Sequence, residues 1–189
     1  MDHTKYSLRH KYNKYKMKYL YAKEHFGYQK GGNNHQHDFE SLCLIENHKI
    51  DLFERIDNYI KNTDTTWNYI IAPDLYKEIT NGNKKLFLLD VRKPKDYASG
   101  HIEGATNIFW KDLFSSNNID RLPCPKHNPS ITIVVICYVG HTASQTLVLL
   151  RLLGFKAIVL KYGMGVSPVA DIPRKGWKDY GLPLVYGNN

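Results

Sequence analysis

The rhythm of apolar and polar positions changes three times along the 189 residues. Residues 1–33 alternate lysine and tyrosine and contain no valine or isoleucine. Tyr12, Tyr15 and Tyr19 recur at i, i+3 and i+7, which puts them on one helical face beside Lys11, Lys14 and Lys18. A polar linker follows. In residues 38–62, Leu42, Ile45, Phe53, Ile56 and Ile60 then fall at broadly helical spacing, with a break near Asn47 and His48. This predicts one or two helices packing on what comes next. From Trp67 the texture is α/β: "WNYIIAP" predicts a short strand, and "PDLYKEITNG" a helix opened by Pro73 and closed at Asn81 and Gly82. "KLFLLDV", "ITIVVICY" and "KAIVLKYG" are near-continuous apolar runs, as strands covered on both faces require. The helical pattern "SQTLVLLRLLG" separates the last two and stops at Gly154. Strands alternating with helices imply a mostly parallel sheet, with chemistry at the carboxyl ends of its strands.

Three regions follow from this pattern: a basic arm at 1–33, a linker and helical extension at 34–66, and one α/β domain at 67–189. The chain length suits a single core. The formal net charge of +8 changes the picture only once it is located. Residues 1–33 hold eight Lys or Arg against two acids, whereas residues 34–189 hold eighteen against sixteen. The basicity thus belongs mainly to the arm, which reads either as a solvated segment or as a contact for polyanions. Its Lys/Tyr-rich composition, closed by Gly31 and Gly32, also resembles the leaders of many proteins of large DNA viruses, which implies host cytoplasm or virion. No run of about 18 apolar residues suggests a membrane span, and the N-terminal residues lack the apolar stretch of a secretory signal, so the expected location is cytoplasmic. His35 and His37 have no spaced partner for metal binding, and no metal site is expected. Cys43, Cys124 and Cys137 form no CxxC pair, which favours free thiols. Cys43 reads as a small buried hydrophobe, and Cys124, between prolines, as an inert or a resolving thiol.

Cys137 stands apart because it falls where an apolar strand ends and a helical pattern begins, with Gly140 three residues later. A loop curling into a helix N-terminus aims several backbone N–H groups at one centre, which favours thiolate and can hold an anion. Gly140 permits the tight curl. Two chemistries use such a cradle. Cysteine phosphatases need C-x5-R for a bidentate clamp on phosphate, but the sixth residue after Cys137 is Ala143 and the next arginine is Arg151. The shorter loop Cys137–Thr142 suits a smaller electrophile such as a sulfane sulfur.

Residues 86–109, "LFLLDVRKPKDYASGHIEGATNIF", together with "CYVGHTAS" at 137–144, resemble the signature and active-site loop of the rhodanese family. The resemblance spans about residues 67–186. It implies a rhodanese-like α/β fold, with a central mostly parallel sheet flanked by helices. It also implies sulfurtransferase chemistry without a metal or organic cofactor. Cys137 would take sulfur from a donor such as thiosulfate or a persulfide, hold it as a persulfide, and pass it to a thiol, protein or cyanide acceptor. Tyr138, Val139, Gly140, His141, Thr142 and Ala143 would form the cradle. Asp90 and Arg92 match the family's D-x-R pair and are expected to support the fold, Arg92 pairing with Asp90 or Asp96; His101 is expected to be a hydrogen-bonded framework histidine. Thr142 stands where thiosulfate-active members carry Arg, so it offers one hydroxyl in place of a cationic fork, or serves as a helix N-cap. His141 or Lys161 could supply positive charge at the rim. Tyr138 would wall the pocket or shield the loop, and Trp177 would pack. The competing reading is a rhodanese-like interaction or redox-sensing module in which the cysteine is modified without turnover.

Overall fold

The computed structural model describes residues 52–63, 65–165 and 175–187. The chain divides into two compact units, 1–37 and 38–189, and all described residues belong to the second. The basic arm, His35, His37 and the helix expected before residue 51 therefore lie outside the described residues. No helix among those described is long and apolar enough to cross a membrane.

Five parallel strands form the sheet: β1 (Tyr69–Ile70), β2 (Leu86–Asp90), β3 (Thr106–Asn107), β4 (Thr132–Ile136) and β5 (Ala157–Leu160), in the order β1-β5-β4-β2-β3. The three central strands are the three apolar runs of the sequence, and they are apolar because both faces are covered. On one face, Ile133, Val135 and Cys137 pack with Ala143, Leu147 and Leu150 of helix α5 (His141–Leu152). On the other, Val134, Ile136 and Leu160 pack with Leu75 of α2 (Ala72–Thr80), with Tyr97 of α3 (Pro94–Ala98), and with Trp177.

Four features depart from the sequence pattern. The first strand is only two residues long, because Trp67 and Asn68 adopt left-handed backbone (φ 57° and 60°) and Ile71 already caps α2. Helix α5 begins at His141, one turn before the apolar periodicity becomes visible. The short elements α3, β3 and α4 (Ser116–Ile119) carry too few residues to show a period. Helix α1 (Leu52–Lys61) forms as expected and lies against α5, where Arg55 donates to the Leu152 carbonyl at 2.8 Å. Its apolar positions are not the packed ones: Phe53 and Ile60 are exposed, and Ile56 is half-buried.

Candidate active site

Strand β4 runs out at Ile136 and delivers Cys137, nearly fully buried, to the carboxyl end of the sheet. The chain then turns through Tyr138 and Val139 to Gly140, which caps α5 with φ 99°. That angle accounts for the glycine: a side chain there would find ordinary space but a strained backbone. The expected N-cap role of Thr142 is not seen, since Gly140 holds the cap position and no side-chain cap bond is made. Thr142 sits in the first turn, half-buried, its carbonyl accepting from Thr146 Oγ1 at 2.9 Å.

The cradle is made of backbone. Gly140 N donates to Cys137 Sγ at 3.1 Å and Ala143 N at 3.4 Å, and the amides of Val139 and Thr142 also act on the sulfur. Burial raises the thiol above its ordinary value, and the four amides pull it down without reversing that direction. Here the physics corrects the expectation of a favoured thiolate. A helix N-terminus stabilises an anion, but desolvation inside the core costs the thiolate more.

The rear of the cradle was not legible in advance. Met164 N donates to the Cys137 carbonyl at 2.9 Å, and Gly165 N to the Tyr138 carbonyl at 3.0 Å. The second bond fixes the Tyr138–Val139 peptide, whose N–H faces the sulfur. This turn approaches so closely that a Cβ on Gly163 would lie 2.2 Å from the Cys137 carbonyl oxygen. It is braced in turn by Trp177 N on the Gly163 carbonyl (2.9 Å) and Lys178 N on the Met164 carbonyl (3.1 Å). Trp177 is buried, its Nε1 donating to the Pro183 carbonyl at 2.8 Å. The spaced glycines of "KYGMG" were the available signal, since paired glycines just past a strand mark a close backbone approach.

Side chains fix the flanks. The Tyr138 hydroxyl donates to the Asp96 carboxylate on α3, and burial followed by this bond raises the phenol. Tyr138 is thus tethered to α3, and Asp96 is taken by the phenol and not by Arg92. From the other side, Tyr69 Oη and Ser144 Oγ lie 3.0 Å apart, and Ser144 Oγ donates to the Gly140 carbonyl at 2.9 Å. His141 is exposed at the first turn of α5, and Lys161 is half-buried just past β5.

Asp90 and Arg92 lie at the end of β2, in register with the end of β4. Both are buried, with Arg92 Nη2 at 2.6 Å from Asp90 Oδ2 and Nε at 3.0 Å from each carboxylate oxygen. Arg92 Nη2 also donates to the Gly100 carbonyl at 3.0 Å, and Asn107 Nδ2 spans the Asp90 and Arg92 carbonyls at 2.9 and 3.0 Å. His101 is buried and stacked on Tyr97 (3.6 Å between centroids). Its Nδ1 donates to the Tyr97 carbonyl at 3.0 Å, and its backbone pairs antiparallel with Val185. These three residues brace the loop-bearing end of the sheet. Among the described cysteines, Cys137 is free, and Cys43 lies outside the described residues.

A family model described as "Rhodanese-like domain" matches residues 72–166. Among solved structures, the chain is similar to a rhodanese-related protein from Thermoplasma volcanium, with 26% identity, 62% of this chain and 97% of that one covered, and a TM-score of 0.48. A full-length protein from Lactobacillus plantarum gives 26% identity, 71% and 95% coverage and a TM-score of 0.49. A rhodanese-like domain protein from Staphylococcus aureus gives 20%, 64% and 99%, and 0.49. No curated protein matches the chain.

Proposed function

Because the chain belongs to the family of rhodanese-like domains, we propose that it is a sulfurtransferase working through a persulfide on Cys137. The observation that carries this reading is the amide cradle: at least two N–H groups bonded to one buried sulfur, on a loop with no arginine. Cys137 first loses its proton to solvent. Its thiolate then attacks the sulfane sulfur of the donor, the donor S–S bond breaks, and sulfite or an organic thiolate leaves with the electron pair. The persulfide formed carries its negative charge on the outer sulfur, where oriented N–H groups stabilise it without reorganisation. An acceptor thiolate or cyanide next attacks that sulfur, the Cys137 S–S bond breaks, and the Cys137 thiolate is regenerated. The cycle is redox-neutral and draws on backbone dipoles and one thiol.

Intact mass of the full chain after thiosulfate, and separately after an organic persulfide, tests this. The expected result is one added sulfur on Cys137, removed by cyanide or dithiothreitol and absent in Cys137→Ser. If no donor leaves an adduct while Cys137 can still be alkylated, the domain is a binding or sensing module.

A further inference from the structure

Of the four amides that act on Cys137 Sγ, three are held by α5. Gly140 caps that helix, Thr142 and Ala143 lie in its first turn, and Ser144 N closes the turn on the Gly140 carbonyl at 2.9 Å. The Val139 amide is different. It falls between the end of β4 at Ile136 and the start of α5 at His141, so neither a strand ladder nor a helix fixes it. Its aim is decided by Tyr138, because the Tyr138 carbonyl and the Val139 N–H are opposite ends of one planar peptide. Rotating that peptide about the Tyr138 Cα carries the N–H off the sulfur.

Tyr138 is held at three points. The peptide before it is fixed by Met164 N on the Cys137 carbonyl at 2.9 Å, and the peptide after it by Gly165 N on the Tyr138 carbonyl at 3.0 Å. Its side chain is fixed by the Asp96 carboxylate, which accepts from the phenol, while Lys93 N approaches the same hydroxyl oxygen at 3.4 Å. The first two holds come from one turn, so without the third the residue rocks about that turn. Asp96 stands on firm ground for this. Its own N–H donates to the Lys93 carbonyl at 2.9 Å, and the neighbouring Tyr97 is buried, its hydroxyl donating to the Ala105 carbonyl at 2.6 Å. The charges that act on the phenol are Asp96 and Arg92, whereas the sulfur answers to burial and to backbone amides.

We propose that Asp96 is a positioning residue for Cys137: by holding the Tyr138 phenol it keeps the Val139 N–H on the sulfur, and so sets the reactivity of the thiol. The carboxylate acts through a side chain and a peptide, not through its own field. For the persulfide this inference rests on the sulfur-transfer reading, but its effect on the bare thiol stands apart from it, and the test separates the two.

The experiment is the pH profile of alkylation by iodoacetamide in the full chain, read at Cys137 by peptide mass, with persulfide loading from thiosulfate and from an organic persulfide measured beside it. Tyr138→Phe and Asp96→Ala should each move the profile up by about one pH unit. That is a tenfold loss of thiolate, partly offset because a more basic sulfur is a better nucleophile, so alkylation at neutral pH should fall about threefold. Asp96→Asn removes the charge but keeps an acceptor for the phenol, and should restore the original profile. Combining Tyr138→Phe with Asp96→Ala should add nothing to either change alone, since both cut one link. In the same variants kcat for loading should fall while KM stays in place. An unchanged profile in both single variants overturns the proposal, whatever their urea unfolding shows. Faster alkylation in either one overturns it too, because the tether is then a barrier over the thiol. So does an equal shift in Asp96→Asn and Asp96→Ala, which makes the charge and not the tether the cause. A shifted profile in a chain that accepts sulfur from no donor supports the positioning role and sinks the transfer reaction. Loading with an unshifted profile does the reverse.

Discussion

The ends of β2 and β4 lie side by side in register, and they are built on opposite principles. At the end of β2, two full charges, Asp90 and Arg92, are buried against each other and satisfied on nearly every side. At the end of β4, one neutral thiol is buried among partial charges, the N–H groups of its own loop. The first arrangement is closed, because each charge is already paired with the other. The second is open, because amides aimed at a neutral thiol gain most when the sulfur becomes anionic. Charge that is fully paired makes a frame, and dipoles left underused are what the proposed sulfur transfer would draw on.

The largest effect should come from breaking the closed end. Arg92→Met leaves the Asp90 carboxylate buried without its partner and should cost about 3–5 kcal/mol in urea unfolding. The double change Asp90→Leu with Arg92→Met should cost less than the single one, as a closed pair predicts. A larger loss in the double variant would mean that the pair contributes net stability.

The next effect sharpens the open end. Gly163→Ala pushes a methyl group into the Cys137 carbonyl, and should lower sulfur transfer about 100-fold, the scale of a 1 Å misplacement. Stability should fall by a smaller amount, about 1–3 kcal/mol. Transfer that falls only in proportion to the folded fraction would reduce the turn behind the loop to a packing element.

The smallest and most diagnostic effect is in pH. Burial raises Cys137, so its alkylation by iodoacetamide should climb about tenfold per unit through neutral pH and keep climbing past the ordinary thiol value of about 8.5. The linked stability has the matching sign. The thiolate is better solvated in the unfolded chain, so folding stability is full below the unfolded thiol pKa and is lost as pH rises through the folded one. An alkylation rate that levels off below pH 8 would show the amides overcoming burial, and the two strand ends would then differ in degree only.

What the sequence disclosed divides along the same line. The central strands, α2 and α5 were legible because burial on fixed faces imposes a period, and Cys137 because it interrupts one. Asp90 and Arg92 were legible as a pair, though the competition between Asp90 and Asp96 for Arg92 needed coordinates: Tyr138, 42 residues away from Asp96, takes that carboxylate. The sign of the thiol shift was hidden as well, because a helix N-terminus is visible in sequence whereas the depth of burial is a property of the assembled core. The Gly163–Gly165 support and the shortened β1 were missed for one reason. Backbone hydrogen bonds and positive φ at Trp67 and Asn68 leave no side-chain pattern.

The strand order also sets a sequence of events at the ribosome. Among the described residues, β1 pairs only with β5, so it waits some ninety residues for its neighbour. The turn that backs the cysteine loop emerges about 26 residues after Cys137, and the Trp177 segment that braces the turn emerges later still. A nascent chain therefore carries Cys137 and the amides of its own loop before the turn and the Trp177 segment that support them have been made. Cys137 is made before the segments that brace its loop from behind, so a chain that stops short of Trp177 carries the cysteine without the last of that support.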